Sequence, residues 1–227
     1  RPDATISGRN VYESRVEMGR QLARENKADA DVVIPVPESG TPAAVGYAEE
    51  SGIPFAHGFV KNSYVGRTFI KPSQTLRQLG IRLKLNVQES VVRGKRVAVV
   101  DDSIVRGNTQ RAIVRMLKEA GAAEVHVKIS SPPVKWPCFY GIDFASRAEL
   151  IANGATIDEI AQSVGADSLA YISEDGMIAA TKQPRERMCT ACFTGEYPID
   201  LPDQNIEANR PGCEPGPDAE FEVFQED

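Results

Sequence analysis

Three short apolar runs constrain the fold most: "DVVIPVP" (31–37), "RVAVV" (96–100) and "EVHVKIS" (124–130). The first two lack the strict apolar–polar alternation of a strand with one wet face. Strands of that kind fit a sheet covered by helices on both faces, which is a largely parallel sheet. Helical patterns separate them. Residues 8–26 place Val11, Arg15, Met18 and Leu22 at helical spacing, and "TPAAVGYAEESG" offers Thr41 as an N-cap, Pro42 at the first helical position and Gly52 past the end. "IPFAHGFV" (53–60) reads as a further strand. Residues 108–120 put Ala112, Ile113, Met116, Leu117 and Ala120 on one helical face, with Gly121 as the stop. Strand, helix, strand, strand, helix, strand predicts an α/β domain with a mostly parallel sheet flanked by helices. After a structured excursion at "SSPPVKWPCFYGID" (130–143), residues 146–164 read as two short helices, and "MCTACFTG" (188–195) closes the compact part.

Composition narrows the class. The chain has 227 residues, 41% hydrophobic and 26% charged, as a water-soluble domain with additions would have. It contains no run of about 18 apolar residues, so no membrane span is expected. The opening "RPDATISGRNVYESR" has no apolar signal region, and a cytoplasmic location is expected. It also lacks an initiator Met, which points to a fragment or a processed chain. Net charge is −6, and residues 203–227, with eight acids and one base, account for it. That tail reads as solvated and disordered, the body as near neutral with no nucleic-acid footprint. Residues 61–85 carry Lys61, Arg67, Lys71, Arg77, Arg82 and Lys84 and no acid, which suits either an anionic ligand or a solvated loop.

The chemistry gathers at "VAVVDDSIVRGNT" (97–109). In parallel sheets ligands bind beyond the carboxyl ends of strands. Asp101 and Asp102 sit at such an end, where carboxylates accept hydrogen bonds from sugar hydroxyls or hold Mg²⁺. Ser103 to Thr109 then lead into a helix, whose exposed N–H groups and dipole cradle a phosphate. Gly107 permits the tight turn, and Ser103, Asn108 and Thr109 add side-chain donors. Acids beside a phosphate nest form the footprint of a ribose 5-phosphate; the plainer reading is a strand-to-helix turn with an acidic cap.

This stretch resembles the phosphoribosyl pyrophosphate (PRPP) motif of type I phosphoribosyltransferases. With "KNSYVGRTFIKPSQTLRQLGIRLKLN" and "ISSPPVKWPCFYGIDFASRAELIA", it is similar to the glutamine PRPP amidotransferase family over roughly residues 1–202. The resemblance implies the type I phosphoribosyltransferase fold with a flexible lid loop and a C-terminal cysteine-bearing segment. It implies transfer of ammonia, taken from glutamine in the intact enzyme, to C1 of PRPP with loss of pyrophosphate. That reaction is the first step of purine synthesis. Asp101 and Asp102 would hold the ribose hydroxyls and, with Ser39, a Mg²⁺. Glu38, Ser39 and Gly40 would receive pyrophosphate, and Ser103, Ile104, Val105, Arg106, Gly107, Asn108 and Thr109 the 5-phosphate. Residues 61–85 would close over PRPP, with Lys61 and Tyr64 as functional residues.

Cys189 and Cys192 form C-x-x-C, which by itself fits zinc, redox or iron–sulfur chemistry. By resemblance, Cys138, Cys189 and Cys192 match three ligands of a [4Fe–4S] cluster whose fourth cysteine would lie before residue 1. Cys213 matches none. The glutaminase domain of the family is expected to precede residues 1–27, which would be its crossover helix into a core at 28–145, followed by a helical, C-x-x-C-bearing segment at 146–202. Purine nucleotides as feedback inhibitors and a homotetramer are further implications. His57 and His126, in or beside apolar strands, are expected to be structural. A PRPP-binding regulator that lost catalysis and another type I phosphoribosyltransferase are the alternative readings.

Overall fold

The computed structural model describes residues 1–62, 85–142 and 146–200. A small antiparallel hairpin of β1 (Thr5–Ile6) and β2 (Arg9–Asn10) feeds helix α1 (Val11–Glu25). Strand β3 (Val32–Pro35) and helix α2 (Thr41–Ser51) follow. Strands β4 (Phe59–Lys61) and β5 (Leu85–Val87) pair antiparallel, and a short helix α3 (Glu89–Val92) leads into β6 (Arg96–Asp101). Then come α4 (Asn108–Glu119), β7 (Glu124–Ile129), α5 (Ile157–Val164), β8 (Ser168–Tyr171), α6 (Glu174–Thr181) and α7 (Ala191–Thr194).

The main sheet runs β3-β6-β7-β8, all parallel. Both of its faces are covered, which explains the unbroken apolar text. Val97, Val99, Val125, Val127 and Ile129 enter one core with Ile113, Leu117 and Ile160. Val33, Ala98 and Val100 enter the other with Leu22, Tyr47 and Met177. Burial of such side chains contributes about 1.5–3 kcal/mol each. All the carboxyl ends therefore point the same way, and the register Asp101–Ile129–Tyr171 forms one row across β6, β7 and β8.

Helices α1 and α2 touch backbone to backbone. A Cβ on Gly19 would lie 1.9 Å from the Ala43 carbonyl oxygen, and one on Gly46 would lie 1.9 Å from that of Val16. Tyr47 locks the pair. Its buried hydroxyl donates to the Asn26 carbonyl and accepts from the Ala28 N–H, both at 2.8 Å. Burial pushes its pKa up to about 12. Arg20 and Arg24 reach from α1 to Glu49 and Glu50 at 2.7 and 2.9 Å, a rim interaction of modest value.

Several elements differ from the sequence reading. The first helix starts at Val11 because Asn10 caps it, its side chain accepting from the Glu13 N–H. Thr41 is not the N-cap of α2; Gly40 holds that position and Thr41 is already helical. The reason is steric, since Gly40 is pressed against the end of β6. Within 53–60, only Phe59 and Val60 lie in a strand, and Phe55 makes a single parallel bridge to Val33. Of the two short helices read in 146–164, the first is one 3-10 turn (Arg147–Glu149), while the second, α5, starts on a Thr156–Glu159 capping box. The segment 146–202 also supplies a strand of the main sheet, β8, which the sequence reading did not assign. Most of the basic segment 61–85, and the tail from 203, lie outside the described residues. Among the described residues no helix is long and apolar enough to cross a membrane.

Two outcomes follow from this packing. Replacing Gly46 by Ala favours helix formation by about 1 kcal/mol, but the new methyl meets a backbone carbonyl that cannot rotate away. A net loss of about 1–3 kcal/mol is expected as a lower urea midpoint. At the sheet edge Asp31 accepts from the Arg96 backbone N–H and guanidinium at 2.9 and 2.8 Å. These bonds, the side-chain one foremost, hold its pKa at about 2. The folded value lies below the unfolded one, so the stabilisation is present above about pH 4 and lost as pH falls through the folded value. Asp31→Asn should flatten the stability–pH curve in that window, read from urea midpoints on acidification.

Candidate functional site

The parallel pairing of β3 and β6 brings two loops together at the carboxyl edge of the sheet. Past Pro35, the Val36 N–H donates to the Val100 carbonyl at 2.9 Å, and the Gly40 N–H donates back to Val36 at 3.0 Å. Residues 36–40 thus curl tightly onto the end of β6. Only glycine fits at 40: a Cβ there would lie 2.4 Å from the Val100 oxygen and 3.0 Å from the Asp101 Cα. The Pro37–Glu38 peptide is cis. Glu38 and Ser39 are exposed on this loop, at the N-terminus of α2, where the helix dipole favours an anion; the Gly40 and Thr41 N–H groups already donate to Val36 and Glu38, and Pro42 has none.

Asp101 and Asp102 are adjacent in sequence but unlike in environment. Asp101 is 5% exposed. Its Oδ1 accepts from the Asp102 N–H at 2.8 Å and lies 3.5 Å from the Ser39 hydroxyl, while Oδ2 accepts from Gln110 Nε2. Burial, and then the neighbouring Asp102 charge, raise its pKa well above the ordinary carboxylate range; those hydrogen bonds only partly offset them. Asp102 is exposed, and among the described residues only the Ser103 hydroxyl is bonded to its carboxylate, at 2.9 Å. One acid is built into the protein and the other faces outward.

Beyond them, residues 103–107 turn into α4. Among the described residues none accepts a hydrogen bond from the backbone N–H groups of Ser103 to Asn108. Free amides at a helix N-terminus form a nest for an oxyanion. Gly107 makes the turn possible with φ +75°, a conformation that L side chains rarely adopt, and a Cβ there would also push on the Ile151 Cδ1 methyl at 2.5 Å. Ile104 is buried and anchors the loop, and Val105 accepts from the Ile151 N–H at 2.9 Å. Arg106 is exposed and pairs with Glu149 at 3.2 Å, and Asn108 accepts from Arg111 at 3.0 Å, so neither points freely into the loop. Thr109 is exposed.

Lys61, the last residue of β4, lies beside the first loop, its ammonium 3.2 Å from the Glu38 carboxylate. Tyr64 lies outside the described residues. His57 is exposed, edge-on to Phe55 with ring centroids 5.2 Å apart; His126 is half-buried, its Nδ1 2.9 Å from the Ser168 hydroxyl. Sequence reasoning missed Gln110. Its signal was a polar residue on the apolar stripe of α4, in step with Ile113, Val114 and Leu117.

The cysteines form a second locus. The Lys135 and Trp136 N–H groups both donate to the Cys192 carbonyl, at 3.0 and 3.1 Å, which clips the Cys138 segment onto α7. Gly195 is packed against the Trp136 ring, which Arg147 covers at 3.7 Å. The Cys192 thiol is pushed up to about 11 by burial first, and then by Cys138 and Cys189 nearby. All three are free thiols. Among the described residues, however, no group of three or more His, Cys, Asp and Glu side chains is disposed to hold a metal ion. The sulfurs are neighbours without forming a closed ligand set.

Comparison with known proteins agrees with this geometry. Residues 16–130 match the family described as "Phosphoribosyl transferase domain". The amidophosphoribosyltransferase of Mycobacterium tuberculosis is 67% identical over 207 residues, 89% of this chain and 39% of that protein. That of Bacillus subtilis is 53% identical over 205 residues, 88% of this chain and 43% of that protein. Among solved structures, the glutamine PRPP amidotransferase of B. subtilis complexed with ADP and GMP superimposes with a TM-score of 0.81 at 53% identity. It matches over 89% of this chain and 46% of that one. The chain therefore spans about two fifths of the length of these curated relatives.

For the loop geometry the direct test is Gly107→Ala. A residue with a Cβ costs about 1–2 kcal/mol in the left-handed region, before the contact with Ile151. A thermal midpoint lowered by several degrees is expected.

Proposed function

We infer the function of this chain from its family: it belongs to the phosphoribosyl transferase domain family, and its fold is that of the type I phosphoribosyltransferases. On that premise the chain is the transferase part of an amidophosphoribosyltransferase. It joins ammonia to C1 of PRPP, releases pyrophosphate and yields 5-phosphoribosylamine. The observation that carries this reading is the pair of anion-binding loops, 36–40 and 103–109, converging on a carboxylate pair of which one member is anchored and the other free.

The residues divide the work by chemistry. The amides of Ser103 to Asn108 suit the 5-phosphate, and the 36–40 loop with the α2 N-terminus suits the pyrophosphate. Asp102, exposed beside Asp101, can accept hydrogen bonds from the ribose hydroxyls. Its carboxylate and the Ser39 hydroxyl are oxygen donors of the kind Mg²⁺ takes, whereas both Asp101 oxygens already accept protein hydrogen bonds. Asp102 and Ser39 would hold the ion, with Asp101 as the support behind them, and the ion would neutralise charge on the departing pyrophosphate. As the C1–O bond breaks, positive charge develops on the ribose and negative charge on the leaving group. Lys61, leaving Glu38, can meet that negative charge. The ammonia lone pair forms the C1–N bond, and a proton is lost from nitrogen to give the neutral amine. Tyr64, in the segment after Lys61, is the other residue proposed to act there.

In the whole protein glutamine would supply the ammonia, and purine nucleotides would regulate, as the ADP and GMP held by the B. subtilis structure suggest. Cys138, Cys189 and Cys192 would supply three thiolates of a [4Fe–4S] cluster. A Cys₄ site needs a fourth from elsewhere. Gln183 Nε2 donates to the Ser7 carbonyl at 3.4 Å, which sets the N-terminal hairpin beside the connection into that segment.

Pyrophosphate release from PRPP, Mg²⁺ and ammonium tests the reading. Asp102→Asn should lower the rate about 10²-fold or more, and Lys61→Ala by a similar factor. A wild-type chain that folds but releases no more pyrophosphate than the Asp101→Asn/Asp102→Asn variant would sink it.

A further inference from the structure

Among the described residues, two buried polar atoms on one face of the sheet have no hydrogen-bond partner: Gln110 Oε1 and the Tyr171 hydroxyl. Gln110 is 2% exposed and Tyr171 is 6% exposed. A polar atom left unpaired in such a place is costly, so the pair calls for an account. Their placement supplies one. Asp101, Ile129 and Tyr171 are register partners in a single row across β6, β7 and β8. Tyr171 packs in the core that contains Ile113, Val114 and Leu117 of α4. Gln110 descends from the first turns of the same helix and spends its Nε2 on Asp101 Oδ2. One orphan is an acceptor only and the other can donate. They are chemically complementary, and both belong to the same side of the sheet: Gln110 bonds Asp101 at one end of the row, and Tyr171 is its other end.

We propose that Tyr171 is a positioning residue for the PRPP site: its hydroxyl donates to Gln110 Oε1, directly or through one trapped water, and so fixes which end of the Gln110 amide faces Asp101. The amide has two orientations. With nitrogen toward Asp101 it donates to the carboxylate; reversed, it would set oxygen against oxygen. A donor on the far side of the amide selects the first orientation. The chain Tyr171–Gln110–Asp101 then runs from β8 to the acid behind Asp102, so that the last strand of the sheet, more than 60 residues past the PRPP motif, sets the geometry of the site. Tyr171 touches no reacting atom. This inference rests on the function proposed above, since it assigns Asp101 to the PRPP site.

Three variants test it: Tyr171→Phe, Gln110→Met and the double substitution. Titration calorimetry with PRPP and Mg²⁺ reads the site, urea unfolding reads the fold, and a high-resolution crystal structure of the wild-type chain reads the contact. Each single variant should weaken PRPP binding roughly 3- to 10-fold, the worth of a hydrogen bond. The double variant should be no weaker than the weaker single, because both remove one link. Lower unfolding midpoints with unchanged PRPP affinity would mean a packing role only and would overturn the proposal, as would additive effects. If the wild-type chain binds no PRPP, the functional reading fails by itself. The contact is then judged on the crystal structure, where Tyr171 Oη must lie within about 3.2 Å of Gln110 Oε1 or of a water shared by both.

Discussion

The parallel register of β3 and β6 is the constraint on which the rest depends. Because Pro35 pairs with Val100, the chain leaves both strands at the same edge and level. Val36 then bonds to Val100, and Gly40 comes within a hydrogen's width of the Asp101 backbone. A slip of one residue would turn Val97 and Val99 out of one core and put Asp101 into the other. The same register that fills two apolar cores therefore sets the 36–40 and 103–109 loops side by side.

Burial makes the paired acids different. Asp101 is enclosed, and its charge is opposed by desolvation and by Asp102 but supported by Gln110, Ser39 and a backbone N–H. Such a group cannot move freely, and it holds the start of the 103–109 loop in place. Asp102 is exposed, where a ligand can reach it. The helix pair α1–α2 performs a comparable service on the other loop. Its backbone-close packing and the Tyr47 lock hold α2, and so residues 36–40, without long side chains in between.

Much of this was legible in the residues. Unalternating apolar text at 96–100, followed by two acids, Gly107 and a helix, specified both a strand end and a tight turn into a helix through chemistry local to a dozen residues. The N-cap of α2 was misread because Thr41 has the better side chain for a cap, whereas Gly40 wins on a contact 60 residues away in sequence. β8 escaped because "SLAY" is only four residues long, wedged between Gly165 and the Ser173 cap of the next helix; pairing with β7 makes it a strand. Gln110 was an unexplained polar residue on an apolar stripe until Asp101 stood beneath it.

By itself the sequence determined the α/β class and the two acids and glycine turn that stand at the carboxyl end of β6, since periodicity, caps and adjacent acids act over a few residues. Only the tertiary structure decided which acid is enclosed and which is exposed, why glycine stands at 40, and how Lys61 meets Glu38. It also decided that three cysteines from two distant segments come together without closing a ligand set. These are outcomes of contact between remote segments, where burial changes the cost of a charge and the space left for a side chain, and neither quantity is written in any one stretch of residues.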